Sequence, residues 1–276
     1  MKPNRRDGNN QSGYSPIVPA VDQAGKILLC LGRGGRSRWT LTEICREVGI
    51  YKSKGYSILT TLMQFGFVEK DPQSKTYSLG PGLLSLSRFV LDHMDIRERA
   101  LPFLEEIAVE TRNTALLGLI SAGQVFVVAK HEGNQDIGVT IRLGHRFHLT
   151  AGAHGKAIVA FMPEEERKKV LARKRLFFYG RSEPVDMGRL KEELALCREE
   201  GYAKDAGGLQ PGINAVSSPV FGPHDRIIGC LILMGTFPVE QMDEKGSRAA
   251  ETAARISEAL GADADRLSLK GPGKGV

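Results

Sequence analysis

Residues 40–66, TLTEICREVGIYKSKGYSILTTLMQFG, decide the fold of this chain. Thr40 followed three residues later by Glu43 is a capping-box start, in which each side chain satisfies the other residue's backbone N–H. A first amphipathic helix runs on through Val48, and Gly49 supplies the turn that reverses the chain. The spacing predicts a second helix from about Tyr51 to Phe65, with Ile58, Leu59 and Leu62 inward and Gly66 ending it. Phe67–Lys70 and Thr76–Leu79 then read as two strands around the turn Asp71-Pro72-Gln73-Ser74-Lys75. Two short helices, a tight turn and a basic hairpin make a winged helix-turn-helix, whose second helix can lie in a DNA major groove.

Charge follows the same division. Residues 1–79 carry 12 Lys and Arg against 6 Asp and Glu, whereas residues 80–276 carry 26 of each. The net charge of +6 therefore sits entirely on the helix-turn-helix end. Counterion release at a phosphate backbone rewards such a bias. A solvated basic tail would account for Lys2, Arg5 and Arg6 but not for Lys52 and Lys54 at the start of the second helix.

A length of 276 residues suggests about two domains. No apolar run reaches the roughly 18–20 residues of a transmembrane helix, and the polar Met1–Ser15 lacks a signal-peptide core. Cys30, Cys45, Cys197 and Cys230 are widely spaced, with no Cys-x-x-Cys, so small core residues are expected in place of disulfides or zinc ligands. A reducing, cytoplasmic setting follows.

Upstream, Ala20–Leu31 is predicted as a supporting helix with Val21, Ala24, Ile27, Leu28 and Leu31 on one side, followed by the basic loop Gly32–Arg36. Downstream, Leu83–Met94 marks a linker helix and Ile96–Thr111 a second one. Beyond residue 112 strands alternate with helices. Strands are expected at Ala115–Ile120, Val125–Lys130, Val139–Arg142, Tyr202–Asp205, Ile213–Phe221 and Ile227–Gly235. Helices are expected near Gly155–Phe161, from Pro163, across Met187–Cys197, and from Glu240 to Leu260. Paired strands with helices between them suggest an α+β sheet domain, not a doubly wound nucleotide fold.

Catalytic and metal motifs fail in detail. Thr150-Ala151-Gly152-Ala153-His154-Gly155-Lys156-Ala157 lacks the first glycine of a P-loop and the Ser or Thr after its lysine. His145, His148 and His154 are spaced three and then six apart, unlike a helical zinc pair, although one of them with Asp205 leaves a lone metal site open. No Gly-x-Ser-x-Gly elbow is present, and Cys230 lies among apolar residues with nothing to depress its pKa. No catalytic residue, metal or cofactor is expected. Two other classes stay open beside a DNA-binding regulator: an enzyme acting on a small molecule in the C-terminal half, and a winged-helix adaptor without a ligand.

Several blocks in one order give the chain a family resemblance over residues 20–262. Lys52-Ser53, Leu59-x-x-Leu62-x-x-x-Gly66-Phe67-Val68 and Tyr77-x-Leu79-Gly80 resemble the DNA-binding domain of the IclR family of bacterial transcriptional regulators. Gly155-Lys156-Ala157, Gly201-Tyr202-Ala203-x-Asp205 and Gly212-Ile213-x-Ala215-Val216-x-x-Pro219-Val220-Phe221 resemble its effector domain. The resemblance implies a GAF-like effector-binding domain, a homodimer that is often a dimer of dimers, and control of double-stranded operator DNA binding by a small metabolite. The expected plan is a disordered basic tail (1–19), a winged helix-turn-helix (20–80), a linker helix (81–95), the effector domain (96–265) and a flexible tail (266–276).

Departures from the family matter most on the second helix. Where the family often carries Thr, an aliphatic residue, Tyr and Arg after Lys-Ser, this chain has Lys54, Gly55, Tyr56 and Ser57. The arginine's contact must come from elsewhere, with Lys52 and Lys54 as candidates. The expected DNA-binding set is Arg38, Thr40, Lys52, Ser53, Lys54, Tyr56, Ser57, Thr60 and Lys75. By position, the effector pocket of keto-acid-sensing members falls on His154, Gly155, Asp205, Ala215, Ile232 and Met234. Apolar Ala215, Ile232 and Met234 stand where small polar groups would hold a compact acid, which would lose hydration without gaining partners. That suggests an effector with an aromatic or otherwise apolar body and one polar or acidic group, oriented by His154 and Asp205.

Overall fold

The computed structural model describes residues 17–33, 38–92, 95–133, 139, 141–180 and 185–263. The chain packs as two units, Met1–His93 and Met94–Val276. Residues 1–16 and 266–276 of the predicted tails, the Gly34–Arg36 part of the basic loop, Thr140 and Met94 lie outside the described residues, while Pro19, expected in the tail, begins the first helix.

In the first unit, α1 (Pro19–Leu31), α2 (Leu41–Val48) and α3 (Lys52–Gln64) surround a small core of Ile27, Leu31, Ile44, Leu59, Leu62, Val68 and Tyr77. The capping box forms as the sequence predicts: the Glu43 N–H donates to Thr40 Oγ1, and the Thr40 N–H donates to Glu43 Oε2. Gly49 ends α2 in the left-handed region at φ +74°. The wing is β2 (Val68–Lys70) and β3 (Thr76–Leu79). Asp71 Oδ1 accepts the Gln73 and Ser74 N–H groups across its turn, and those bonds hold its carboxyl below the ordinary range. A strand absent from the sequence reading, β1 (Trp39–Thr40), pairs antiparallel with β3, giving the order β1-β3-β2. The helix α4 (Gly82–Asp92) follows. Val21, expected on the inward side of α1, is 68% exposed instead, because the helix meets the core from Ala24 onward.

Gly55 has a steric reason to be glycine. A Cβ there would stand 2.4 Å from Cys45 Sγ of α2, so the pair sets how closely α2 and α3 approach. Any helix-propensity cost of the glycine is offset by that packing.

The second unit is a six-stranded antiparallel sheet in the order β6-β5-β4-β9-β8-β7. Its strands are β4 (Thr114–Ser121), β5 (Gln124–His131), β6 (Arg146–His148), β7 (Ala203–Ala206), β8 (Asn214–Phe221) and β9 (Ile227–Gly235). Alternation along each strand feeds two cores. Leu117, Val216 and Leu231 pack with α5 (Asp95–Thr111) and α9 (Met242–Ala259) on one face. Leu116 and Ile232 pack on the other face with α6 (Gly152–Phe161), α7 (Glu164–Leu171) and α8 (Met187–Glu200). All four cysteines are buried and free, as small core residues should be.

Ile141 and Arg142, expected in a strand, are irregular; Arg146–His148 pairs with β5 instead. The alternation Val-Thr-Ile-Arg is locally strand-like, but the β5 partner positions are filled by Arg146–His148, a long-range outcome invisible in a short window. The helix predicted from Gly155 begins three residues earlier, at Gly152, without any side-chain cap to announce it.

Candidate functional site

The surface of α3 is the first candidate. Lys52, Ser53, Lys54, Tyr56 and Ser57 are all exposed, and no acid occurs in the first turn. The helix N-terminus adds its own partial positive charge to the two lysines, a combination that suits phosphate oxygens. Ser57 donates to the Ser53 carbonyl at 3.1 Å, leaving its oxygen as an acceptor.

Not every expected contact lies on that surface. Thr60 is half-buried and its hydroxyl is shielded, with no hydrogen-bond partner among the described residues. The 3.6-residue repeat places it on the same side as Ser53, Tyr56 and Ser57, but its hydroxyl is less accessible there than theirs. Thr40 is exposed, but its hydroxyl is committed to Glu43 in the helix cap. Arg38 is ion-paired to Asp71, whereas Lys75 stands exposed at the wing turn. Exposed residues that escaped the sequence reading include Tyr51 (86% exposed), Thr61 and Gln64, and the periodicity that placed Leu59 inward could have found Thr61.

The second candidate lies in the sheet unit. Register aligns Asp205 with Ala215, Ala215 with Met234, and Met234 with Thr114, so four strands present one row on the α6 face. Ile232 lies in the next row on that face, opposite Ser217 and Leu116. Four of the six expected effector residues are thus neighbours, and Thr114 joins them unforeseen. Thr114 is buried and its hydroxyl donates to the Val139 carbonyl.

Asp205 is buried, and burial pushes its carboxyl up although it accepts the Leu209 and Gly208 N–H groups, each at 3.1 Å. It lies against the first turn of α6, since a Cβ on Gly152 would come within 3.1 Å of Asp205 Oδ2. His154 is buried in α6; its Nε2 donates to the His148 carbonyl at 3.3 Å, and its ring lies 4.7 Å from that of Phe147. Burial lowers its pKa to about 4, so the ring is neutral. Gly155 carries no side chain for a steric reason: a Cβ would meet Thr150 backbone carbon at 2.5 Å.

Lys156, the residue that invited comparison with a phosphate loop, is buried in the body of α6. Its Nζ lies 2.7 Å from Glu193 Oε2, donates to the Lys204 carbonyl at 3.1 Å, and sits 4.7 Å from the centre of the Tyr179 ring. Burial works to raise the Glu193 carboxyl, but Lys156, Arg189 and Tyr179 together hold it below its ordinary value. A cleft of about 240 Å³ opens beside this cluster, and none of the six expected effector residues lines it. Among the described residues no group of three or more His, Cys, Asp or Glu is placed to hold a metal ion, and no helix is long and apolar enough to cross a membrane.

A winged helix-turn-helix joined to a helix-covered sheet with a polar-and-apolar row defines a transcriptional regulator with a C-terminal ligand-binding domain. The chain belongs to the IclR family: residues 20–72 match the IclR helix-turn-helix domain, and residues 88–262 match the bacterial transcriptional regulator IclR C-terminal domain. It is 31% identical to the glycerol operon regulatory protein of Streptomyces griseus over 89% of this chain and 97% of that one. It is 29% identical to the transcriptional regulator XynR of Escherichia coli K12 over 79% of this chain and 86% of that one. An IclR transcriptional regulator from Alicyclobacillus acidocaldarius has the same architecture, with a TM-score of 0.78 at 31% identity over 89% of this chain and 100% of that one. A Microbacterium hydrocarbonoxydans homologue solved with 4-hydroxybenzoate shares the fold, with a TM-score of 0.71 at 19% identity over 87% of this chain and 98% of that one. These relatives are named as regulators, and the protein is a DNA-binding regulator, not an enzyme.

Proposed function

We propose that the protein is a cytoplasmic, homodimeric repressor or activator of a catabolic operon, possessing an operator-reading face on α3 and an organic-acid effector site on the Asp205 row. The exposed, acid-free start of α3 with Lys52 and Lys54 carries the DNA part. A homodimer would hold two such helices for two operator half-sites, with dimers of dimers as the larger assembly. The catabolic assignment is supported by the name of the Streptomyces griseus relative, which regulates a glycerol operon. In Lys52→Ala/Lys54→Ala, affinity for duplex promoter DNA should fall at least about tenfold and the log K against log salt slope should shrink by about 2. An unchanged slope would remove α3 from the interface.

For the effector, the row at Asp205, Ala215 and Met234 offers one carboxyl beside apolar surface, which favours an aromatic or otherwise apolar body with one polar or acidic group. Asp205 retains lone pairs for a ligand donor. His154, Gly155 and Ile232, all buried, shape the wall from behind. Binding alters DNA affinity only through differential affinity for two arrangements of the chain, with residues 82–112 as the joining helices. Aromatic acids such as 4-hydroxybenzoate should raise the melting temperature of the effector unit by several degrees, while glyoxylate and pyruvate should not. The opposite pattern would overturn the apolar-wall assignment.

A further inference from the structure

Beyond its first turn, the exposed face of α3 has no positive charge. Tyr56, Ser57, Thr61 and Gln64 follow the two lysines, and the Ser57 and Thr61 hydroxyls donate to carbonyls one turn back. A helix in a major groove runs between two phosphate strands, so its later turns need cations from another element. Two of the cations of this unit are committed, Arg33 to Glu47 and Arg38 to Asp71, and Lys75 stands exposed at the tip of the wing.

Lys70 is different. It ends β2, is exposed, and forms no ion pair among the described residues. It stands opposite Tyr77 in the β2–β3 register, with its ammonium 5.5 Å from the centre of that ring and 6.0 Å from the centre of the Tyr56 ring. Tyr77 is 2% exposed and therefore fixed in the core, whereas Tyr56 is 51% exposed on α3. One lysine thus bridges a rigid ring of the wing and an exposed ring of the helix. The ring faces attract the ammonium and restrict a stem that would otherwise be mobile. Pre-ordering of this kind lowers the entropy lost when a phosphate is engaged.

We propose that Lys70, held between Tyr77 and Tyr56, is a phosphate contact that locks the wing to α3 and fixes Tyr56 as a groove-facing side chain. This rests on the assignment of α3 to the major groove. Lys70 supplies the charge that the middle of α3 lacks, and Tyr56 is positioned by it, not merely exposed beside it.

The test is a salt titration with two probes, a random-sequence duplex and the duplex upstream of the protein's own coding sequence. Lys70→Gln should reduce the log K against log salt slope by about 1 on both duplexes, and Lys70→Arg should restore it. Tyr56→Phe keeps the ring and should keep the slope, while Tyr56→Ala combined with Lys70→Gln should lose less than the sum of the two single losses. A Lys70→Gln slope equal to wild type overturns the proposal, as does strict additivity of the pair. If Lys52→Ala/Lys54→Ala leaves the slope unchanged while Lys70→Gln lowers it, the assignment of α3 fails and the wing contact survives.

Discussion

Replacing Glu193 with alanine is expected to destabilise the effector unit by about 3 kcal/mol, while replacing its partner Lys156 with methionine should cost less than about 1 kcal/mol. The asymmetry comes from burial. The Lys156 side chain is 4% exposed and that of Glu193 is 27% exposed. Without that carboxylate, the buried ammonium keeps the Lys204 carbonyl, the Tyr179 ring and the weaker attraction of the Asp205 carboxyl. Breaking a buried pair by removing one partner costs roughly 3–5 kcal/mol, and the solvent contact of Glu193 places this case at the low end. Methionine keeps most of the lysine stem's packing, and Glu193 then still has Arg189 Nε and the Tyr179 hydroxyl, each at 2.9 Å. Urea unfolding followed by far-UV circular dichroism measures the two losses. Trp39, the only tryptophan, lies in the other unit, so its fluorescence transition should stay in place. Equal losses in the two variants, or a Glu193→Ala loss below about 1 kcal/mol, would show that the buried charge is not what demands the carboxylate.

The legible parts of this protein were those fixed within a few residues. Thr40 and Glu43 announce their own cap, Gly49 its own turn, and Asp71 the turn it closes with its own side chain. Each needs no distant partner to be read correctly. The row of Asp205, Ala215 and Met234, proposed as the effector site, was suggested only by family resemblance, because these residues meet by strand register across a hairpin and an edge pairing.

What stayed hidden depended on distant partners. The sequence excludes a phosphate loop around Lys156 but does not show what the lysine meets, which is Glu193 on another helix. Gly55 stands in the sequence as a departure from the family pattern, and its reason is distant, since Cys45 of α2 fills its side-chain space. Thr60 shares the outward side of α3 with Ser53 and Ser57, yet its hydroxyl is shielded, which the repeat alone does not foretell. The strand expected at Val139–Arg142 lost to Arg146–His148 for the same reason: local alternation describes a strand, but only β5 chooses which segment pairs with it.

Acidification should unfold the effector unit earlier than its carboxylates alone require, and His154 should be the main cause. Its ring is buried among apolar atoms, bonded to the His148 carbonyl, and held at a pKa of about 4. The unfolded chain restores an ordinary value near 6.5. Between these two values the unfolded state binds the extra proton, so stability is full above about pH 6.5 and is lost as pH falls toward 4. The expected loss by about pH 4 is roughly 3 kcal/mol from this side chain alone. His145 and His148 are also lowered, first by burial and then by Arg146 and Arg173 respectively, and they act in the same direction. A difference measurement separates them: unfolding free energies of wild type and His154→Gln are compared at about pH 7.5 and about pH 4.5. Glutamine can donate to the same carbonyl but does not titrate, so it should be less stable at the higher pH and lose much less on acidification. Parallel losses in the two proteins would mean that His154 takes up its proton in the folded state, and that the ring is more accessible to water than its packing against Phe147 implies.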